Sequence, residues 1–243
     1  MITLPISGKY SFFLCPDADR STPFIPEGDQ PVSMSQPELE QFDFLRVAAE
    51  EMGALEAKVI PADLVVVEHR VTLRCRSGCK GYGNKLTCPP HVPSPEEFAK
   101  ILKEYSAALI VKFQSPARAD DDLIHSIYKS WLDLNSPEEK KEDANRFWSE
   151  YFADSPRILD VMLELEKLAF NNGHTFALAL VNGSCRLCDT CNITNGVCLH
   201  PTRARIPEHA VGINMKRTAE LAGMPIRFPI SGRAEPMTLL LID

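Results

Sequence analysis

No stretch of this sequence approaches the roughly 20 consecutive apolar residues that a membrane-spanning helix requires. Positive charge is in short supply. There are 26 Lys and Arg against 33 Asp and Glu, for a net charge of -7. That balance argues against a broad electrostatic grip on nucleic acid or anionic lipid. The opening segment, MITLPISGKYSFFLCPDADR, carries an apolar patch at Phe12, Phe13 and Leu14. It lacks the charged start and apolar run of a secretion signal, so the expectation is a cytoplasmic protein. Also missing are a GxxxxGK[ST] phosphate loop, a GxGxxG turn after a strand, a HExxH pair and a Ser–His–Asp order. The usual motifs for nucleotide, zinc-protease and serine-hydrolase chemistry are therefore excluded. Cysteine is sparse for a disulfide-built fold, at eight in 243 residues, and a reducing cytoplasm disfavours disulfides.

What the chain does have is an ordinary globular composition, 44% hydrophobic and 24% charged, at a length able to bury its own core. Any metal is therefore not a substitute for a missing interior. Residues 1–34, rich in Pro, Ser, Gly and Asp, read as an irregular N-terminal arm. Residues 35–243 read as one metal-binding domain. Helix starts are written at Ser35-Gln36-Pro37-Glu38, Ser94-Pro95-Glu96-Glu97 and Ser136-Pro137-Glu138-Glu139, each matching a capping box, and at Ser155-Pro156. The spacing predicts a helix over 37–52 with Leu39, Phe42, Leu45, Ala49 and Met52 on one face. It predicts another over 156–171 facing inward with Ile158, Met162, Leu165 and Ala169. A helical insert at about 117–172 has a charged outer face and aromatics (Tyr128, Trp131, Phe147, Trp148, Tyr151) suited to a local core. Strands are expected at Ala57–Ile60, Ala107–Phe113, Thr175–Val181 and Thr238–Ile242. The second and third are apolar enough to be buried on both faces. The fold class is α/β or α+β: a small mixed sheet with flanking helices and two cysteine-rich metal-binding loops.

Seven cysteines fall into two groups. Cys75, Cys79 and Cys88 lie in CRSGCKGYGNKLTCPPH; Cys185, Cys188, Cys191 and Cys198 lie in CRLCDTCNITNGVCLHP. Thiolates this close repel one another unless a cation holds them. Two-residue gaps turn successive sulfurs toward one centre, and the fourth cysteine closes the second set. Cys-x2-Cys-x2-Cys with a fourth Cys in the same loop points to an iron–sulfur cluster of the [4Fe-4S] type, with zinc as the alternative. The first set offers three thiolates. Either a fourth ligand comes from Cys15, His91, His200 or another residue, or one iron is open to a small ligand. Cys15, in FFLCP, reads more simply as a buried small hydrophobe. Gly78, Gly81 and Gly83 allow tight turns that bring N–H groups toward sulfur. Arg74, Arg76, Lys80 and Lys85 flank the first set, and Arg186, Arg203 and Arg205 the second. They either offset thiolate charge or form plain solvated surface. Tyr82 is a candidate proton donor beside the first set, or a packing residue.

The run CRSGCKGYGNKLTCPPHVPSPEEF, followed by a helix and ALIVKF, resembles the signature of a family of predicted metal-binding proteins of unknown function. The block CRLCDTCNITNGVCLHPTRARIPEHAVGINMKRTAELAG resembles the second half of that signature. The resemblance spans roughly residues 40–243 and includes all seven grouped cysteines. It implies a metal or iron–sulfur cluster held by Cys75, Cys79, Cys88, Cys185, Cys188, Cys191 and Cys198 in a cytoplasmic protein, and supplies no reaction. Two functions follow as expectations. One is electron transfer, or a redox or maturation role with a partner enzyme, with a redox partner protein or a small-molecule ligand at an open iron. The other is a structural zinc protein that binds a protein or RNA through Arg203, Arg205, Lys216 and Arg217. The net acidity counts against the RNA version.

Overall fold

The computed structural model describes residues 36–120, 123 and 135–243. The described residues all belong to one compact unit, residues 32–243. The N-terminal arm with Cys15, the cap at Ser35, and Tyr128 and Trp131 lie outside the described residues.

The four expected strands form one sheet. They are β1 (Glu56–Pro61), β2 (Ala107–Lys112), β4 (Leu178–Leu180) and β6 (Met237–Ile242), in the order β1-β2-β6-β4 and antiparallel at each pairing. Two short strands, β3 (Arg118–Ala119) and β5 (Gly232–Arg233), pair as a separate ribbon. All six residues of β2 and of β6 are buried. Their run of apolar residues thus serves two faces at once, because successive side chains of a strand point to opposite sides. Leu109 and Val111 of β2 join Leu240 and Ile242 of β6 in one core. Ala108 and Ile110 join Leu239 and Leu241 in the other.

Each core is closed by helices. On the first face lie α2 (Asp43–Glu51) with Leu45 and Ala49, and α6 (Ser155–Asn171) with Ile158, Met162, Leu165 and Ala169. These are the inward residues expected from the spacing. Met52, expected on the same face, is exposed. On the second face lie α4 (Pro95–Ile101), α7 (Met215–Leu221) and a 3₁₀ turn at Glu208–Val211, contributing Phe98, Ala219 and Val211.

The expected helix over 37–52 is broken into α1 (Gln36–Glu40) and α2. Two four-residue turns, Phe42 N to Leu39 O and Leu45 N to Phe42 O, interrupt the ladder. They deliver Phe42 to the core at 1% exposure, against the His174 ring. The box at Ser94 forms in full. Glu97 N–H donates to Ser94 Oγ at 3.2 Å, and Ser94 N–H donates to Glu97 Oε2 at 2.8 Å. The box expected at Ser136 does not: α5 (Glu138–Ala153) begins after Pro137 with no side-chain cap. Phe147 and Trp148 of α5 pack with Ala117, Ala119 and Ala234 in a small third core. The sequence reading missed α3 (His69–Arg76), whose buried side chains are only Thr72 and Cys75, and α7, which Asn214 caps by accepting from Arg217 N–H at 3.1 Å.

Candidate metal centre

Cys75 lies on the last turn of α3, not on a loop as expected, because Thr72 and Cys75 share the inward face one turn apart. The helix stops at Ser77, and a chain of tight turns then carries Cys79 and Cys88. Tyr82 N–H donates to Cys79 O, Asn84 N–H to Gly81 O, and Cys88 N–H to Lys85 O. Gly81 is the pivot. A Cβ there would stand 3.2 Å from Cys88 Sγ and 3.7 Å from Cys79 Sγ. Both sulfurs thus face one buried glycine, and any larger residue would push them away. Cys75 and Cys88 are buried while Cys79 is exposed. Burial, with the neighbouring Cys79, holds the Cys75 thiol above its usual range. Burial and then Cys79 push Cys88 up to about 11. These thiols resist ionising unless a cation joins them, so metal uptake must release protons.

The second group hangs from the end of β4. Val181 makes a parallel bridge to Pro207, and Gly183 then turns with φ +79°. A Cβ at Gly183 would meet the Phe152 ring at 2.9 Å. Cys185, Cys188, Cys191 and Cys198 are all half-buried free thiols. All four line one small cavity together with His200 and the segment Lys85–Thr87. Its volume, about 20 Å³, admits roughly one water-sized body and excludes an organic substrate. Backbone N–H groups approach two of the sulfurs: Leu86 N–H to Cys191 Sγ at 3.5 Å, and His200 N–H to Cys198 Sγ at 3.4 Å. Among the described residues the N–H donors to sulfur therefore come from Leu86 and His200, not from Gly78, Gly81 or Gly83. Burial, then Cys185, Cys191 and Cys198, raise the Cys188 thiol.

The two groups meet. Leu86, two residues before Cys88, reaches the second group, and Lys85 Nζ donates to the Cys185 carbonyl. Ser184 Cβ lies 3.8 Å from the position a Gly81 Cβ would take. The flanking cations have other duties. Arg203 pairs with Asp160 at 2.5 Å. Arg205 Nε donates to Glu166 Oε2 at 2.8 Å, tying the end of the loop to α6. Arg186 stacks over Phe152, 3.8 Å from the ring centroid. Arg203 and Arg205 thus each hold an acidic side chain of α6. His91 N–H donates to the Cys88 carbonyl in a turn and its side chain is exposed. Tyr82 is exposed.

The residues fit an inorganic thiophilic group. Four thiols face one cavity that holds no carboxylate, two of them accept N–H bonds, and none is spent on a disulfide. Among the described residues, no three His, Cys, Asp or Glu side chains already converge tightly enough to hold a single ion.

A second, larger cavity of about 1330 Å³ reaches the first group, with Cys75 and Cys79 in its wall. Its lining also includes two residues that the sequence reading missed. Glu208 is buried, its Oε1 has no hydrogen-bond partner, and burial pushes its carboxyl up to about 8. Half-buried His209 beside it is held below the usual imidazole range by burial. Their only mark in the sequence is a Pro-Glu-His step, which carries no periodicity.

The model of one family, described as predicted metal-binding protein (DUF2284), matches residues 58–242. No curated protein and no solved structure matches the chain. The matched range takes in both cysteine groups and well over half of the sequence, and on that footing the chain belongs to this predicted metal-binding family.

Proposed function

We propose that Cys185, Cys188, Cys191 and Cys198 hold an iron–sulfur cluster of the [4Fe-4S] type, that Cys75, Cys79 and Cys88 hold a second inorganic centre beside it, and that the protein transfers electrons with a partner. A cluster held by thiolates supplies one-electron chemistry at a potential set by its surroundings. The observation that carries this reading is the shared wall of the two groups. The stretch Lys85–Thr87 belongs to the first cysteine segment yet lines the cavity of the second. Leu86 and His200 aim backbone N–H groups at sulfur, the contact that favours a reduced, more negative sulfur. Lys85 adds a positive charge on the same side. The first group has three thiols, two of them in the wall of the large cavity, which supports a ligand-facing role for it. The loop bearing the second group exposes Val197 and Leu199, an apolar tip suited to a docking protein.

The test is purification without oxygen, followed by iron, zinc and sulfide analysis and a visible spectrum. The expected protein is brown, contains iron and acid-labile sulfide, and bleaches with dithionite. A colourless protein with stoichiometric zinc, or one carrying neither metal with seven freely reacting thiols, would overturn the proposal.

A further inference from the structure

The large cavity carries more than a route to Cys75 and Cys79. At about 1330 Å³ it exceeds the roughly 300–1,000 Å³ typical of small-molecule sites. Its walls are apolar over Met224, Ile226 and Phe228. Its charge is unbalanced in a chain that is acidic as a whole. Arg74 and Arg227 line it, and among the described residues neither has an ion-pair or hydrogen-bond partner. Arg233 lines it too and donates only to the neutral amide oxygen of Gln114, at 3.2 Å. The acids of the wall do not cancel them. Glu56 is exposed but taken by Lys112 at 2.5 Å, and Glu208 is buried; Glu235 is exposed and stands as an opposing charge.

Unpaired guanidinium groups at the rim of an apolar hollow select a planar or tetrahedral anion, because their N–H forks match two oxygens at once. Glu208 supplies the second, independent observation. It is a carboxyl at 3% exposure whose Oε1 has no partner, and a buried polar atom left this way is costly unless something fills the need. With its carboxyl pushed up to about 8 by burial, Glu208 enters neutral solution protonated and able to donate to an oxygen of a bound molecule.

We infer that this cavity binds a small organic anion, a carboxylate or phosphate ester on an apolar or aromatic body. The anion is taken by Arg227, Arg233 and Arg74, the body lies on Met224, Ile226 and Phe228, and a polar oxygen meets Glu208. The inference goes beyond the metal-binding reading and holds whichever metal the cysteines take.

The test is calorimetric titration of the full-length protein, as purified without oxygen, with 1-naphthyl phosphate, 1-naphthoate and the neutral 1-naphthamide. Metal content is measured on the same samples. At least one anion is expected to bind, and to do so at least about tenfold more tightly than the amide, a difference of about 1.4 kcal/mol. The tighter of the two anions identifies the head group. Arg227→Gln and Arg233→Gln, each with an exposed side chain and neither beside a cysteine, should each weaken the anion at least about threefold while melting and metal content stay put. Arg203→Gln, paired elsewhere on the surface, should change nothing. Failure of both anions to bind at about millimolar concentration, equal binding of the amide, or full binding by both arginine variants would overturn the inference. None of these outcomes bears on whether the cysteines hold iron.

Discussion

The two cysteine groups differ in what supports them. The first rests on regular structure. Cys75 is fixed by α3, Cys88 is buried, and both Cys79 and Cys88 are aimed over Gly81. The second is a long loop without helix or strand, held at its ends by the Val181–Pro207 bridge and by Arg205 on Glu166. The supported group has three thiols and opens on a large cavity; the unsupported group has four and surrounds a small one. A scaffold can position an incomplete ligand set before any metal arrives. A loop without secondary structure depends on its own ligands being complete, because closing it costs conformational entropy that bound metal must offset. On the proposed reading, the second group is the relay and the first is the one that faces a ligand.

The comparison is broken most directly by serine substitution. Cys188→Ser should abolish metal at the second group and destabilise residues 183–201 by on the order of several kcal/mol. Cys79→Ser should remove metal from the first group alone with a smaller effect on melting, since α3 and the turns remain. Metal analysis and hydrogen exchange of the two variants decide the matter, and equal loss of both metals in either variant would mean a single shared centre. The next effect tests the wall of the large cavity. The Glu208 carboxyl is raised from the usual 4.5 to about 8. Its contribution to stability is then fully present below about 4.5 and is lost as pH rises through about 8. Glu208→Gln should flatten that decline by on the order of a few kcal/mol between pH 5 and 8. Melting curves across that interval, showing the same slope for both proteins, would refute the buried acid.

Smaller effects sharpen the contrast between scaffold and loop. Arg205→Ala removes the pair that pins the second loop to α6, at a cost of about 1–3 kcal/mol, and should raise proteolytic cutting within 183–201 before elsewhere. Ser94→Ala deletes the complete capping box of α4 and should lower stability by about 1 kcal/mol. It should leave both metal counts intact, a result read by denaturant melts alongside metal analysis.

Much of the scaffold was legible. The apolar run at β2, the 3.6-residue spacing of α6 and the Ser94 box are local patterns, and local patterns survive folding; that β6, and not β4, is buried along its whole length was not legible. The failures share a physical cause as well. The break at Phe42 is decided by where the core has room for an aromatic ring. α3 was hidden because it buries only Thr72 and Cys75 and turns three arginines outward. The unformed box at Ser136 shows that a cap is one option among several for a helix start. Glu208 was invisible because burial, not residue type, makes its carboxyl unusual.

Composition and spacing by themselves determined that this chain carries grouped thiols in two sets, one of three and one of four, and that β2 is a strand apolar on both faces. Only the tertiary structure decided that the two sets share a wall at Lys85–Leu86, that three arginines and a buried acid surround a cavity beside the incomplete set, and that Arg203 and Arg205 are already paired. Spacing along a chain governs what neighbours in sequence can do together. The meeting of residues a hundred positions apart depends on the sheet and the helices that carry them.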